Sequence, residues 1–396
     1  MREELVGNIL PFWMTHVPDL DRGGFHGEIS EDLVVNDSAD RGSVLCSRIL
    51  WTFASAHRRL GNREYLDAAD WAFRALTGTF LDPEHGGVYW TVNSDGEPAE
   101  DRKHHYAQAF AIYGLTEYHR VQPGSNALGI AKSIYELLEE HARDRRHGGY
   151  IEGSARDWSA LEEMRLSERD LESRKSMNTM LHVIEAYSNL LRVWDDDRLL
   201  RRHHALITLF LDRIYRNGHL ALFFDDEWNA LTPAYSFGHD IEAAWLLVDG
   251  ASLHDDEDLI NRCSDVAITL AERTMEEGTD DDGGIVYEAE PGRVTDGCKA
   301  WWVQAEAIVG YHTAYLISRD GRFRDAMGRS WNYIVDHLID HEHGDWIKQL
   351  TRDNHRIPGR PKVSMWDCPY HHSRACLEMI ERVESGGGAP QIDRLS

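Results

Sequence analysis

His239 and Glu242, three residues apart in YSFGHDIEAAWLL, form the pair whose types and spacing most directly invite chemistry. Gly238 interrupts the backbone just before apolar residues (Ile241, Ala244, Trp245, Val248) that recur three and four apart, so a helix starts near His239. On its first turn the two side chains share one face. An imidazole with a carboxylate beside it can take up and return a proton near neutral pH. A lone histidine at a helix start usually only packs, so the pair gains weight from what the rest of the chain brings to it.

The elements that must position it are set out by a recurring glycine mark. RGGFHGEI, HGGVYWTV, HGGYIEG, NGHLALFF, DGGIVYEA and HGDWIKQL place glycines at 24, 87, 149, 218, 284 and 344, a spacing of 60 to 69 residues. Each mark is followed by a short alternating stretch, such as Val88, Trp90 and Val92, too short for a core sheet. Between marks lie two helical stretches: 43–60 with 64–80, 103–119 with 125–142, 175–194 with 197–215, 238–253 with 257–275, and 299–317 with 321–338. Helices at 1–16 and 366–384 complete six pairs. Helix pairs that cannot bury their apolar faces singly must stack. The expected fold is therefore all-α, an (α/α)6 barrel over residues 1–384 as one catalytic domain, with a Gly-rich flexible tail at 385–396.

In such a ring the inner helices present their N-terminal ends to a central cleft. SRILWTF, KHHYAQAFAIY, MNTMLHVIEAY, GHDIEAAWLL, KAWWVQAEAIVG and WDCPYHHSRA take that place, with polar and aromatic residues where a plain core helix carries aliphatics. Arg48, Tyr106, Asn178, His182, His239, Glu242, Trp302, Gln304, Glu306, Trp366 and His371 are expected to converge there. Planar walls and many hydrogen-bonding groups suit a neutral polyhydroxy ligand, a sugar.

Composition excludes other partners. The net charge is −26, from 68 acidic and 42 basic residues, and only six of the basic residues are Lys against 36 Arg. Such a surface repels nucleic acid and anionic membranes. An acidic excess with few Lys matches adaptation to high salt, where counterions screen the repulsion. Five cysteines without C-x-x-C spacing indicate neither a disulfide framework nor a zinc site. H-E-x-x-H, a phosphate-cradling glycine loop and a G-x-S-x-G elbow are all missing, so no metal or cofactor is expected. Residues 1–20 carry no signal-peptide layout, which leads to the expectation of a cytoplasmic protein, a monomer or weak homodimer.

The strings RILWTF, GGVYW, YAQAFAIY, NTMLHVIEAY, GHDIEAAWLL, WWVQAE and CPYH, in this order from Trp13 to Glu381, resemble the N-acylglucosamine 2-epimerase superfamily, most closely its cellobiose 2-epimerase branch. The resemblance implies a twelve-helix α/α barrel that inverts C2 of a reducing-end sugar without metal or nucleotide. It implies His182, His239 and His371 as the catalytic set, with Arg48, Tyr106, Asn178 and Glu242 on substrate oxygens and Trp302 and Trp366 stacking on sugar rings. Glu306 belongs to the same implied binding group. Asp367 and His372 stand where the branch usually has a basic residue and an asparagine, and the C-terminal mark reads GDW rather than GEW.

Histidines suit this reaction. Once the ring opens, the C2 proton lies beside the C1 aldehyde, and its removal needs a base near the working pH and a stabilised enediolate oxygen. The expected pair is His239 and His371, with His182 and Arg48 at the oxygen that gains charge. The alternatives are an aldose–ketose isomerase on the same fold, a glycoside or unsaturated-uronide hydrolase needing two flanking carboxylates, and a non-catalytic helical-repeat protein.

Overall fold

The computed structural model describes residues 1–167 and 170–384, so the expected tail lies outside the described residues. Helix α1 (Arg2–Glu4 and Leu10–Thr15, joined by a π turn at Leu5–Ile9) is followed by five hairpins. These are α2 (Ser43–Leu60) with α3 (Arg63–Ala75), α4 (His105–Val121) with α5 (Ala127–Leu137), and α6 (Met177–Leu191) with α7 (Asp197–Leu209). Then come α8 (Phe237–Ala251) with α9 (Glu257–Arg273), α10 (Trp301–Ser318) with α11 (Gly321–Tyr333), and finally α12 (Tyr370–Glu384). Each even-numbered helix packs on the next, and α12 returns to α2, closing an inner ring inside the odd-numbered helices. This is the (α/α)6 architecture the repeat predicts.

Burial follows from the two positions. The inner helix α2 is buried at every residue from Ser43 to Ala56, whereas the outer helix α3 buries only Tyr65, Leu66, Ala69, Ala72 and Ala75, a stripe at helical spacing. The ring closes through Asp345. Its carboxylate accepts from Trp13 of α1 (3.2 Å), from His372 of α12 (2.6 Å) and from Lys348 (2.7 Å), so His372, the departure from the usual asparagine, serves the closure.

Several helix starts differ from the periodic reading. Lys103–His104, Lys175–Ser176 and Lys299–Ala300 are two-residue strands that pair with Gly153–Ser154, Phe223–Phe224 and Gln349–Leu350. The extended backbone is what lets each buried lysine reach an aspartate of the preceding mark: Lys103 to Asp82 (2.9 Å), Lys175 to Asp144 (2.7 Å), Lys299 to Asp282 (2.7 Å). Arg41 to Asp19 (2.5 Å) and Lys362 to Asp340 repeat the device. The last helix starts at Tyr370, not 366, because Pro369 disfavours helical backbone at Cys368. Trp366 therefore stands in the preceding turn.

The glycine marks turn where no side chain fits. Gly87 has φ +69°, and a Cβ there would lie 2.7 Å from both Gln108 Oε1 and Trp158. At Gly149 it would meet Trp228 at 2.5 Å. Gln304, expected in the cleft, is instead fully buried behind it. Its amide accepts from Ile285 N–H (2.9 Å) and donates to Ile285 O (2.8 Å), as Gln108 does with Val88.

At the other end of the ring, ion pairs Arg58–Glu117 (2.7 Å), Arg59–Glu378 (2.8 Å) and Arg192–Asp249 (2.7 Å) gather at the inner-helix C-termini, where the helix dipoles favour cations. Lys103, Lys175, Lys299, Lys348 and Lys362 are at most 2 % exposed. The sixth, Lys132 on α5, is half-buried with Nζ 4.4 Å from the Trp194 ring. Solvent thus meets carboxylates and guanidinium groups. We expect the melting temperature to rise with KCl as the net −26 is screened, and a flat response would count against the high-salt reading.

Candidate active site

The first turns of the six inner helices open on a cavity of about 430 Å³. Arg48, Tyr106, Asn178, His182, His239, Glu242, Trp302, Trp366 and His371 all line it, together with Trp301, Tyr287 and Asp367. A second lobe of about 320 Å³ shares Leu166, Ser167, Asp170, Asn178, His239 and Tyr287 with the first. Of the expected cleft residues, Glu306 stands off the wall, behind His371.

Trp302 neighbours two of the histidines, with ring centroids 4.9 Å from His239 and 5.3 Å from His371. Their surroundings differ. His371 Nδ1 is hydrogen-bonded to Glu306 Oε1 (2.7 Å), and Glu242 Oε1 lies at 3.8 Å. His239 Nδ1 is buried without a hydrogen-bond partner, and burial, with His182 adding to it, pushes this imidazole down to about 3. His182 donates through Nδ1 to Glu185 Oε2 (2.8 Å), three residues along the same helix. With Nδ1–H donated to Glu185, the Nε2 of His182 keeps a lone pair, whereas His371 takes either tautomer according to whether Glu306 holds the proton of their bond.

Behind these groups sits a charged hub that the sequence reading missed. Arg374 Nη2 lies 2.6 Å from Glu242 Oε1 and 2.6 Å from Glu306 Oε1, while Nη1 bonds Glu185 and the Tyr370 hydroxyl. Trp245 Nε1 donates to the other oxygen of Glu306 (2.9 Å). Three buried glutamates thus surround one guanidinium. Burial opposes their charge and lifts Glu242 and Glu306 above the usual carboxylate range, Glu306 adding to the lift of Glu242. Against the same burial, Arg374 and His182 hold Glu185 below that range. Burial likewise pushes His371 far below its ordinary value, with Arg48 and Arg374 adding to it. With three carboxylates around one guanidinium, the ionisations of Glu242 and Glu306 depend on one another. Arg374 and Glu185 each stand three residues beyond a candidate histidine, an i, i+3 spacing that was available as a signal.

Arg48 is set differently. Its Nη2 donates to Tyr106 Oη (2.7 Å), its guanidinium lies 4.2 Å from the Phe110 ring centre, and among the described residues no carboxylate pairs with it. A buried cation at the wall without a carboxylate is poised for negative charge on a ligand. Glu242, Glu306 and His371 bring ligand atoms within 4.8 Å of one another, close enough for a metal ion, but the Arg374 guanidinium already holds both glutamates. No helix among the described residues is long and apolar enough to cross a membrane.

Toroid and cleft define the class: an α/α barrel with a polar and aromatic cavity at the N-terminal mouth of its inner ring. More particularly, the family model of N-acylglucosamine 2-epimerase (GlcNAc 2-epimerase) matches residues 23–375, and the chain belongs to that family. By this membership it is a carbohydrate epimerase. Cellobiose 2-epimerase of Bacteroides fragilis is 42 % identical over 387 residues, covering 96 % of this chain and 97 % of that protein. The structure of cellobiose 2-epimerase from Bacillus thermoamylovorans superposes with a TM-score of 0.91 at 39 % identity, covering 96 % of this chain and 98 % of the other. A D-mannose isomerase of Marinomonas mediterranea is 25 % identical over 387 residues, 91 % of this chain and 92 % of its own.

Proposed function

We propose that the enzyme inverts C2 of the reducing-end glucose or mannose unit of a β-1,4-linked disaccharide such as cellobiose, through a cis-enediolate. The observation that carries this reading is the pair His239 and His371, both beside Trp302 on the cavity wall, one without a carboxylate partner and one backed by Glu306. Inversion needs a proton removed from one face and another delivered to the opposite face. His239, neutral at working pH, is the base. His371 is the acid in the tautomer in which a protonated Glu306 donates to Nδ1 and Nε2 carries the hydrogen, and the proton given up at Nε2 is made good at Nδ1 by Glu306. In the reverse direction the roles exchange.

As the C2–H bond breaks, its electrons move toward the C1 oxygen. Arg48, with His182 beside it, meets that charge, and the positive ends of six inner helices point to the same place. The 430 Å³ cavity holds the reacting ring, and the adjoining lobe has room for the second, within the usual range for enclosed small ligands. The names of the relatives at 42 % and 39 % identity favour a disaccharide.

A proton NMR time course in D2O with cellobiose, glucose and mannose in separate tubes tests the proposal. A mannose-type anomeric signal growing from cellobiose, with deuterium at C2, is the expected result. Fructose from mannose would establish instead the aldose–ketose isomerase, the reading the D-mannose isomerase relative favours. Hydrolysis is disfavoured by the geometry, because Glu242 and Glu306 share one guanidinium nitrogen instead of flanking a bond.

A further inference from the structure

We propose that Glu152 is a positioning residue of the catalytic wall: it clamps the first turn of α6 to the start of α4, and so sets Asn178 and His182 against Tyr106. The inference rests on the reading of His182 as an active-site group.

Glu152 follows the mark at Gly149 and is 3 % exposed. Its backbone oxygen accepts from His105 N–H, the first residue of α4 (2.9 Å), and its own N–H donates to Arg174 O (3.1 Å). Its carboxylate reaches the neighbouring helix, accepting Ser176 N–H on Oε1 (2.8 Å) and the Thr179 hydroxyl on Oε2 (2.7 Å). Ser176 is the N-cap of α6, and its hydroxyl accepts from Thr179 N–H (3.1 Å). In a capping box the third helical residue is a Glu or Gln that reaches back to the N-cap amide. Here that position is Thr179, which has no such reach, and Glu152 supplies the missing acceptor from the bend before the strand Gly153–Ser154. One residue thus joins the helix that carries Tyr106 to the helix that carries Asn178 and His182.

The clamp is costly to build, which argues that its placement matters. Asp170, of like charge, faces Glu152 from the loop before α6. His105 on α4 is held neutral by burial, at about 4, and bonds Ile151 O and Ser154 Oγ, while Arg174 is engaged by Asp226 (3.1 Å). Burial first, with Asp170 adding to it, lifts the Glu152 carboxyl to about 7 against the pull of its Thr179 and Ser176 bonds. Ionised, it accepts both bonds. Protonated, it can still accept Ser176 N–H on one oxygen and donate to the Thr179 hydroxyl from the other, so the clamp holds in either state.

The test compares Glu152→Ala, Glu152→Gln, Thr179→Val and His182→Asn in the full chain, reading kcat, KM and thermal melting. Ala removes both links, whereas Gln can keep them, its Oε1 accepting Ser176 N–H and its Nε2 donating to the Thr179 hydroxyl. For Glu152→Ala we expect kcat to fall about tenfold with KM within twofold, since small misplacements of a reacting group cost rate. Glu152→Gln should recover most of that loss, and Thr179→Val should fall between Glu152→Ala and the wild type. Glu152→Ala with wild-type kcat, while His182→Asn is inactive, overturns the clamp alone. So does a kcat loss that merely follows a loss of folded protein. A fully active His182→Asn overturns the reading on which the clamp rests.

Discussion

His371→Asn loses epimerisation by about 10³-fold or more yet still exchanges the C2 proton of one epimer with solvent, and His239→Asn does the same for the other epimer. The size follows from what a positioned acid or base contributes, roughly 10² to 10⁴ in rate. The asymmetry follows from the site. Each variant keeps one imidazole that can remove a proton from the face it meets and return it there, with retention. Glu306 lies behind His371, Glu242 is held by Arg374, and His182 is assigned to the C1 oxygen rather than to C2. Incubation of cellobiose and of its C2 epimer in D2O, read by deuterium at C2 and by product configuration, separates the two half-reactions. Equal loss of exchange from both epimers in both variants would refute a two-base arrangement, and undiminished epimerisation in either would remove that histidine from the mechanism.

Arg374→Met is expected to cost about 3 to 5 kcal/mol of stability, the scale for breaking a buried ion pair from one side. It leaves Glu185, Glu242 and Glu306, none more than 4 % exposed, around an empty centre. Arg374→Lys should recover part of the loss, because an ammonium keeps the charge but lacks the fork that reaches three carboxylates and Tyr370 at once. Adding Glu306→Gln to Arg374→Met should restore some stability while kcat stays low, since the His371 acceptor has changed. Thermal melting and a double-mutant cycle between positions 374 and 306 check this. Additive effects would mean that the two side chains do not form one unit.

The architecture was legible because a closed ring of hairpins repeats, and repetition survives local noise. Glycines at 24, 87, 149, 218, 284 and 344 marked the turns, and the predicted helices lie close to the observed ones. What was hidden is short or buried. A two-residue strand such as Lys103–His104 has no period to detect. The π turns that end the outer helices, for example Leu76–Phe80 and Phe210–Ile214, leave no mark of their own in composition. The wall of the site was read well because polar and aromatic residues at inner-helix starts contradict a plain core. Gln304 met the same test and failed, since a buried amide can serve a backbone as well as a ligand. Arg374 was passed over in HHSRACLEMIERVE because it looks like an ordinary surface charge until Glu185 and Glu242 are folded around it.

The burial of the lysines bears on how the protein can be handled. Reagents that couple to side-chain amines find five of six such groups sealed beneath the surface, each already bound to an aspartate. Lys132 alone among them is within reach, and it sits on the outer layer, on α5. An amine-reactive resin would therefore hold the enzyme by a single lysine side chain on its flank and leave the mouth of the ring uncovered.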